Sequence, residues 1–349
     1  MAETSLEVTC LDTARRYMAL GARQPVRRAV FGILAAAKRI VQCVTVVRRK
    51  RPNVVYITCA PSLGLWLRDF PLLFILAILR VPTIVHLHGG SVSGFFGASR
   101  PVQWLSVKAF RKAAAVVVIT RAIEARARYL LGSNTVRYIP NMLPSGYGVS
   151  ARSPRQDPTS ITVLHVGWQS REKGTLVVLE VASRLPQLHF VLVGRVPADF
   201  QPLLDKRIAS LGLQKRVTFT GPIFGDALQR KYRSADLMLL PTQGEGFPMV
   251  VLEAMAHRLP VVATDVGAIA DMLGAGSDSP AGFVVPSDRQ MDIEALVSYV
   301  NILATTSTLR ETLGSNGGQR VRREYDATAI VRRLDHLIRC VGNREVLPQ

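Results

Sequence analysis

The sequence predicts an α/β protein with two parallel-sheet domains, and three observations point there. The chain has 349 residues, room for two domains of ordinary size. Short Val- and Ile-rich runs alternate with longer helix-like runs along the chain, the rhythm of parallel α/β architecture. One polar, proline-bearing stretch, Ser150–Thr159 (SARSPRQDPT), interrupts that rhythm and reads as a linker. Hydrophobic residues make up 48% and charged residues 20%, which fits a folded protein with a sizeable core and argues against disorder.

In the first half the expected strands are Leu6–Leu11, Asn53–Cys59, Thr83–His88, Val116–Thr120 and Val136–Pro140. Their Val and Ile content suits strands covered on both faces. Past the linker the expected order is strand Ile161–Gly167, helix Thr175–Leu185, strand His189–Gly194, helix Ala198–Leu211 and strand Val217–Gly221. Helix Gly225–Ser234, strand Leu237–Pro241, helix Pro248–Arg258, strand Val261–Asp265, a short helix near Ala268–Leu273 and strand Gly282–Pro286 follow. Met291–Val341 reads as two or three amphipathic helices. Two Rossmann-like halves result: residues 1–150, and residues 151–326 with a last helical segment, 327–349.

Charge separates the halves. The formal charge is +19, but residues 1–150 hold 21 basic and 5 acidic side chains, against 23 and 20 in the remainder. A first half at +16 should attract phosphate-rich partners: nucleic acid, an anionic membrane or a pyrophosphate-bearing substrate. A high-GC genome would explain Arg over Lys, but not a shortage of acids confined to one half. No zinc finger or RNP-type aromatic motif is present and aromatic residues are only 7%, so nucleic acid is set aside.

Four scattered cysteines (Cys10, Cys43, Cys59, Cys340) make neither a disulfide framework nor a zinc ribbon and suit a reducing cytoplasm. No signal-peptide pattern is visible. The most apolar run, Phe70–Leu79, has ten residues where about 20 are needed to span a bilayer. It reads as a buried helix, or as one dipping into a membrane interface. Ala29–Ala37, fenced by Arg27, Arg28, Lys38 and Arg39, raises the same two readings.

The densest chemistry lies in Thr242–Ala256 (TQGEGFPMVVLEAMA). A strand ends, glycines Gly244 and Gly246 let backbone approach a ligand, and Pro248 suits the first turn of a helix. Free N–H groups from Phe247, Met249 and Val250, on either side of Pro248, would then face a phosphate. Glu245 and Glu253 stand eight residues apart, and a carboxylate accepts two hydrogen bonds from a vicinal diol, as sugars and riboses carry. A capping Glu and a surface Glu would be the plain alternative.

That stretch, with Pro260-Val-Val-Ala-Thr, Gly267-Ala and Ala281-Gly-Phe-Val-Val-Pro, resembles the group 1 glycosyltransferases (glycosyltransferase family 4), retaining enzymes of the GT-B fold. The similarity runs from about Ile161 to Tyr325, with a weaker match upstream. It implies that Glu245 holds donor-sugar hydroxyls and Glu253 the nucleotide ribose, with Gly246, Phe247 and Pro248 supplying loop contacts. Lys173, in Gly167-Trp-Gln-Ser-Arg-Glu-Lys-Gly, matches the lysine that neutralises the diphosphate, and Ile223 a position lining the nucleobase pocket. Upstream, His88 before Gly89-Gly90 matches a histidine that approaches the donor sugar. His86 is assigned to the other strand face and left out. The last segment, 327–349, would pack back on the first domain.

Three departures stand out. Trp168 occupies the usual place of an arginine, with Arg171 as a substitute cation. Arg258 stands where the family has glycine; a left-handed backbone there costs roughly 1–2 kcal/mol. The family's first strand and N-terminal Gly-rich loop are not recognisable, which implies a first domain reduced at its N-terminus. The resemblance implies transfer, with retention, from a nucleoside-diphosphate sugar (UDP- or GDP-linked) without a metal; no D-x-D motif occurs. The cationic half then points to a lipid-pyrophosphate-linked acceptor at an anionic surface, on the inner face of the plasma membrane. A catalytically inactive GT-B-like scaffold is the main rival.

Overall fold

A computed structural model describes residues 6–10, 25–60, 65–89, 92–97, 99–144, 147, 161–287 and 292–345. The expected linker therefore lies outside the described residues.

The first domain opens with α1 (Pro25–Lys50), followed by β1 (Val55–Cys59), α2 (Phe70–Ile78), β2 (Thr83–Leu87), α3 (Val92–Phe96), α4 (Arg100–Phe110), β3 (Ala115–Val118), α5 (Arg121–Leu131) and β4 (Val136–Tyr138). Its four strands are parallel in the order β1-β2-β3-β4. Alternation along each strand divides the apolar side chains between two cores. Val85, Leu87, Val116 and Val118 meet Phe70, Leu73, Phe96, Phe110 and Ile123 on the crossover-helix side. The expected helix at 70–79 is thus a core helix, although Ile78 at its end is 79% exposed.

The second domain has six parallel strands: β5 (Ile161–Val166), β6 (Leu188–Val193), β7 (Val217–Gly221), β8 (Leu237–Leu240), β9 (Val261–Thr264) and β10 (Gly282–Val285). Between them run α6 (Thr175–Arg184), α7 (Gln201–Ser210), α8 (Gly225–Ser234), α9 (Met249–Ala256) and α10 (Ile269–Leu273). Three helices close the chain, α11 (Ile293–Thr305), α12 (Ser307–Glu324) and α13 (Ala327–Gly342). The strand order is β10-β9-β8-β5-β6-β7, so the winding reverses between β5 and β8. In open sheets of this kind, ligands bind beyond the strand ends at that reversal.

Helix α13 follows the second domain but covers the first. Its Ile330, Leu337 and Val341 pack on Ile84, Ala115 and Val117, the second face of the four-stranded sheet. The ends of two strands also couple the domains: Ile119, just after β3, and Leu143, after β4, join the second domain's core, and Tyr147 meets His257 edge-on at 5.5 Å.

One expected element is absent. Residues 6–10 form no strand and are exposed. The sheet edge at β1 is met instead by α1, whose Cys43 and Val47 pack with Leu72 and Leu76 of α2 against Val55 and Ile57. Leu6-Glu-Val-Thr-Cys has strand-like composition but pairs with neither edge of the sheet, and composition alone does not hold a strand. Among the described residues, no helix is long and apolar enough to cross a membrane.

Candidate active site

The reversal in the second sheet brings two loops together. β5 and β8 keep register only at Val163–Leu237 and Leu164–Met238, then separate. His165 bridges the widening gap, its Nδ1–H donating to the Leu239 carbonyl at 3.0 Å. Fully buried, this imidazole stays neutral down to about 4, chiefly through desolvation. Neither its composition nor its place in an apolar run marked it in the sequence.

Beyond the strand ends the loops are bonded to each other. The Glu172 carbonyl accepts from the Gln243 amide at 2.8 Å and from Thr242 Oγ1 at 3.3 Å. Gly174 starts α6 with φ 77°, and a Cβ there would stand 1.9 Å from the Pro241 carbonyl oxygen, so only glycine allows this approach. The result is direct contact between two residues expected to act together: Lys173 Nζ lies 2.5 Å from Glu245 Oε1 and 3.3 Å from the Gly244 carbonyl. The far side of the Glu245 loop is held by the turn after β9, where the Ala268 amide donates to the Gly246 carbonyl at 2.9 Å. Gly267 in that turn has φ 64°, and a Cβ would sit 2.4 Å from the Glu245 carbonyl oxygen.

Helix α9 follows, with Pro248 as its cap residue and no side chain capping it. The amides of Met249 and Val250 are therefore available to an anion, while that of Val251 already donates to the Pro248 carbonyl at 3.1 Å. Phe247 turns inward, edge-on to Tyr325 at 5.8 Å, so this residue offers the site only its backbone. Pro248 is buried, while Met249 and Val250 are half-buried and pack on the domain core. Glu253 lies one turn further on. Its Oε2 accepts from the Tyr232 hydroxyl at 2.7 Å, and burial raises its carboxyl above the usual range while that bond opposes the rise. His257 stacks on Tyr232 at 5.3 Å and its Nδ1 meets the Glu253 carbonyl at 2.8 Å. Tyr232 and His257 surround Glu253 but were not singled out in the sequence, because Tyr232 comes from the preceding helix, α8, at a distance that no local spacing signals.

Among the cations, Arg171 is exposed and lies two residues before Lys173. Trp168 is 59% exposed, and the guanidinium of Arg195, in the loop after β6, stands 6.0 Å from its ring. That loop is tied to the one bearing Trp168, since the Gln169 amide donates to the Arg195 carbonyl at 2.9 Å. A cation thus reaches the Trp168 position from a neighbouring strand. Ile223 is half-buried against the same core as Met249 and Val250, beside the exposed Phe224. Arg258 adopts φ 52°, the left-handed conformation expected where glycine is usual.

In the first domain, His88 follows the end of β2, exposed, with its amide donating to the Cys59 carbonyl at 2.7 Å. The assignment of His86 to the opposite face is wrong. Residues two apart on a strand share a face, and the His86 and His88 rings lie 4.0 Å apart. Lys173 and Glu245 are in direct contact, while Glu253 is bonded to Tyr232 instead; among the described residues, no hydrogen bond or ion pair ties Glu253 or His88 to the Lys173–Glu245 pair.

Two parallel-sheet domains with closing helices, and paired carboxylates and a lysine at the second sheet's reversal, define a glycosyltransferase of the GT-B class. Residues 160–306 match the model for glycosyl transferases group 1, and residues 5–142 the model for the glycosyl transferase 4-like domain. The chain belongs to the group 1 glycosyltransferases. It is 28% identical over 287 residues to an alpha-D-kanosaminyltransferase from Streptomyces kanamyceticus, covering 76% of this chain and 72% of that protein. It is 29% identical over 179 residues to the lipopolysaccharide core biosynthesis mannosyltransferase LpsB of Rhizobium meliloti, covering 49% of this chain and 50% of that protein. The chain thus matches about half the length of that second relative. A crystal structure of Anabaena Alr3699/HepE in complex with UDP and glucose superposes with a TM-score of 0.66 at 21% identity, covering 86% of this chain and 80% of that one.

Proposed function

We propose that this glycosyltransferase moves a sugar from a UDP- or GDP-sugar to a hydroxyl of a lipid-pyrophosphate-linked glycan, with retention at the anomeric carbon and without a metal. The observation that carries the reading is the 2.5 Å contact between Lys173 and Glu245 beside an uncapped helix start and Glu253. A lysine is needed where charge grows on the departing phosphate oxygen, and a carboxylate where sugar hydroxyls must be held. When the donor enters, Lys173 exchanges Glu245 for the diphosphate and Glu245 turns to the sugar. Glu253, with one oxygen committed to Tyr232, offers the other to the ribose. The acceptor oxygen attacks on the face the phosphate leaves, and a phosphate oxygen of the donor takes its proton.

The surface of the first domain supports a peripheral position at the inner face of the plasma membrane, in the cytoplasm. Helix α1 contains no acidic residue and ends in Arg48, Arg49 and Lys50, and its Ile33, Leu34 and Val41 are more than half exposed. Trp104 of α4 is 61% exposed with Lys108 Nζ 4.3 Å from its ring. Apolar side chains among cations suit anionic headgroups. A relative named for lipopolysaccharide core biosynthesis agrees with a glycan acceptor.

The test is a donor panel of UDP-glucose, UDP-galactose, UDP-N-acetylglucosamine and GDP-mannose with a membrane extract as acceptor. Radiolabel should pass to the lipid fraction from one donor, with the α-anomer as product from these α-linked donors. Saturable donor binding with no transfer would leave the inactive scaffold as the function. Transfer that requires added Mn²⁺ or Mg²⁺ would overturn the metal-free reading.

A further inference from the structure

The His88 ring has little of its own to hold it. Its backbone is fixed by the Cys59 carbonyl, but the side chain is exposed at a strand end and is followed by Gly89. What lies against it is His86, whose ring centroid is 4.0 Å away with the planes tilted 43°. His86 is only 7% exposed. Its Nδ1 bonds the hydroxyl of Tyr56 on β1, whose ring stands edge-on at 5.8 Å. Its Nε2 is buried with no hydrogen-bond partner. In register beside His86 stand Thr58 on β1 and Val117 on β3, and α13 brings Ile330 and Leu334 to the same sheet face. A buried imidazole with one nitrogen unpartnered is a poor choice for packing alone, since a phenyl ring fills the space without an unmet polar atom.

We propose that Tyr56 and His86 are positioning residues for His88. Tyr56 donates to His86 Nδ1, which fixes the Nε2–H tautomer and the plane of the His86 ring. That ring in turn forms the platform against which His88 is held toward the donor sugar. Burial keeps His86 neutral to about 3, so the platform does not acquire a charge that would repel a protonated His88. No proton passes along the chain; its effect is orientation. The assignment rests on the reading of His88 as a residue that meets the donor.

The experiment uses the full chain and whichever of the four donors above the wild type turns over. Variants Tyr56→Phe, His86→Phe, His86→Gln and His88→Ala are compared for kcat, for UDP or GDP dissociation constant, and for ring-nitrogen chemical shifts in ¹⁵N-histidine-labelled protein. His86→Phe preserves volume and guards against simple unfolding, which thermal denaturation checks. Expected are an Nε2–H tautomer for His86 that becomes mixed in Tyr56→Phe, and a kcat lowered about 10- to 100-fold in His86→Gln, a misplacement effect. Nucleotide affinity should stay within twofold, because the nucleotide is held in the other domain. His86→Phe should lose transfer much as His86→Gln does, since it keeps the volume but cannot accept from the Tyr56 hydroxyl that sets the ring plane; full activity in His86→Phe would overturn the positioning role.

If His88→Ala transfers as well as wild type, the reading of His88 fails and takes the assignment with it. If His88→Ala loses transfer while Tyr56→Phe and His86→Gln match wild type, only the positioning role is overturned. An Nδ1–H tautomer, or nucleotide affinity falling in parallel with kcat, would also overturn it.

Discussion

Lys173 Nζ and Glu245 Oε1 lie 2.5 Å apart across two loops that the chain separates by more than seventy residues. The pair is partly exposed, so it contributes little to stability, and its value lies in placement. Each partner keeps the other near the spot proposed above for diphosphate and sugar. Lys173→Ala and Glu245→Gln are each expected to lower transfer by about 10²–10³, with melting temperatures within about 2 °C of wild type. Initial rates at saturating donor check this, and unchanged turnover in either variant removes the assigned roles.

Glu253 should make nucleotide binding sensitive to mild acid. Burial raises its carboxyl above the usual range, so the folded protein binds this proton more tightly than the unfolded chain. The ionised form therefore subtracts from stability at neutral pH, and the subtraction disappears below the unfolded value of about 4.3. Glu253→Gln is expected to raise the melting temperature near pH 8, by an amount that shrinks toward pH 4, while weakening nucleotide binding. Tyr232→Phe removes the bond that opposes the rise, so its loss of nucleotide affinity on acidification should begin at a higher pH. Calorimetric titration across pH reads both effects.

Gly267 should separate activity from foldedness. A methyl group there meets the Glu245 and Gly246 carbonyl oxygens at 2.4 and 2.5 Å, so the loop carrying Glu245 must move. Gly276 has a similar positive φ of 77° with open space around it, so Gly276→Ala costs only the backbone term of about 1–2 kcal/mol. Transfer should fall more than tenfold in Gly267→Ala and stay near wild type in Gly276→Ala. Equal activities would show that the Glu245 loop tolerates displacement.

Helix α1 supplies a membrane test that leaves the loops bearing Lys173 and Glu245 untouched. Each basic residue near an anionic surface contributes about 1 kcal/mol, so replacing Lys38, Arg48, Arg49 and Lys50 together with Gln should weaken vesicle binding up to about a thousandfold. Sedimentation with vesicles of one-third phosphatidylglycerol at low salt gives the partition coefficient. Binding equal to wild type would move the membrane contact elsewhere.

Much of this architecture was legible in the sequence because period and punctuation agree. β7 and α8 fall on the expected residues, and the Gly-rich loop stands between β8 and α9 as its glycines and Pro248 suggested. Positions that depend on distant chain were not legible. Nothing near Glu253 announces Tyr232, and nothing near Trp168 announces Arg195. Residues 6–10 misled for the same reason, since a strand exists only where an edge receives it. His86 was open to view, because a two-residue spacing on a strand already places it with His88.

The packing of α13 on the first sheet has a consequence for synthesis. Ile84, Ala115 and Val117 leave the ribosome early, but the helix that covers them follows roughly two hundred residues later. At about 5–20 residues per second, that face stays bare for some 10–40 s of translation. The first domain is finished last, and a nascent chain stalled inside the second domain would present an open apolar sheet to chaperones.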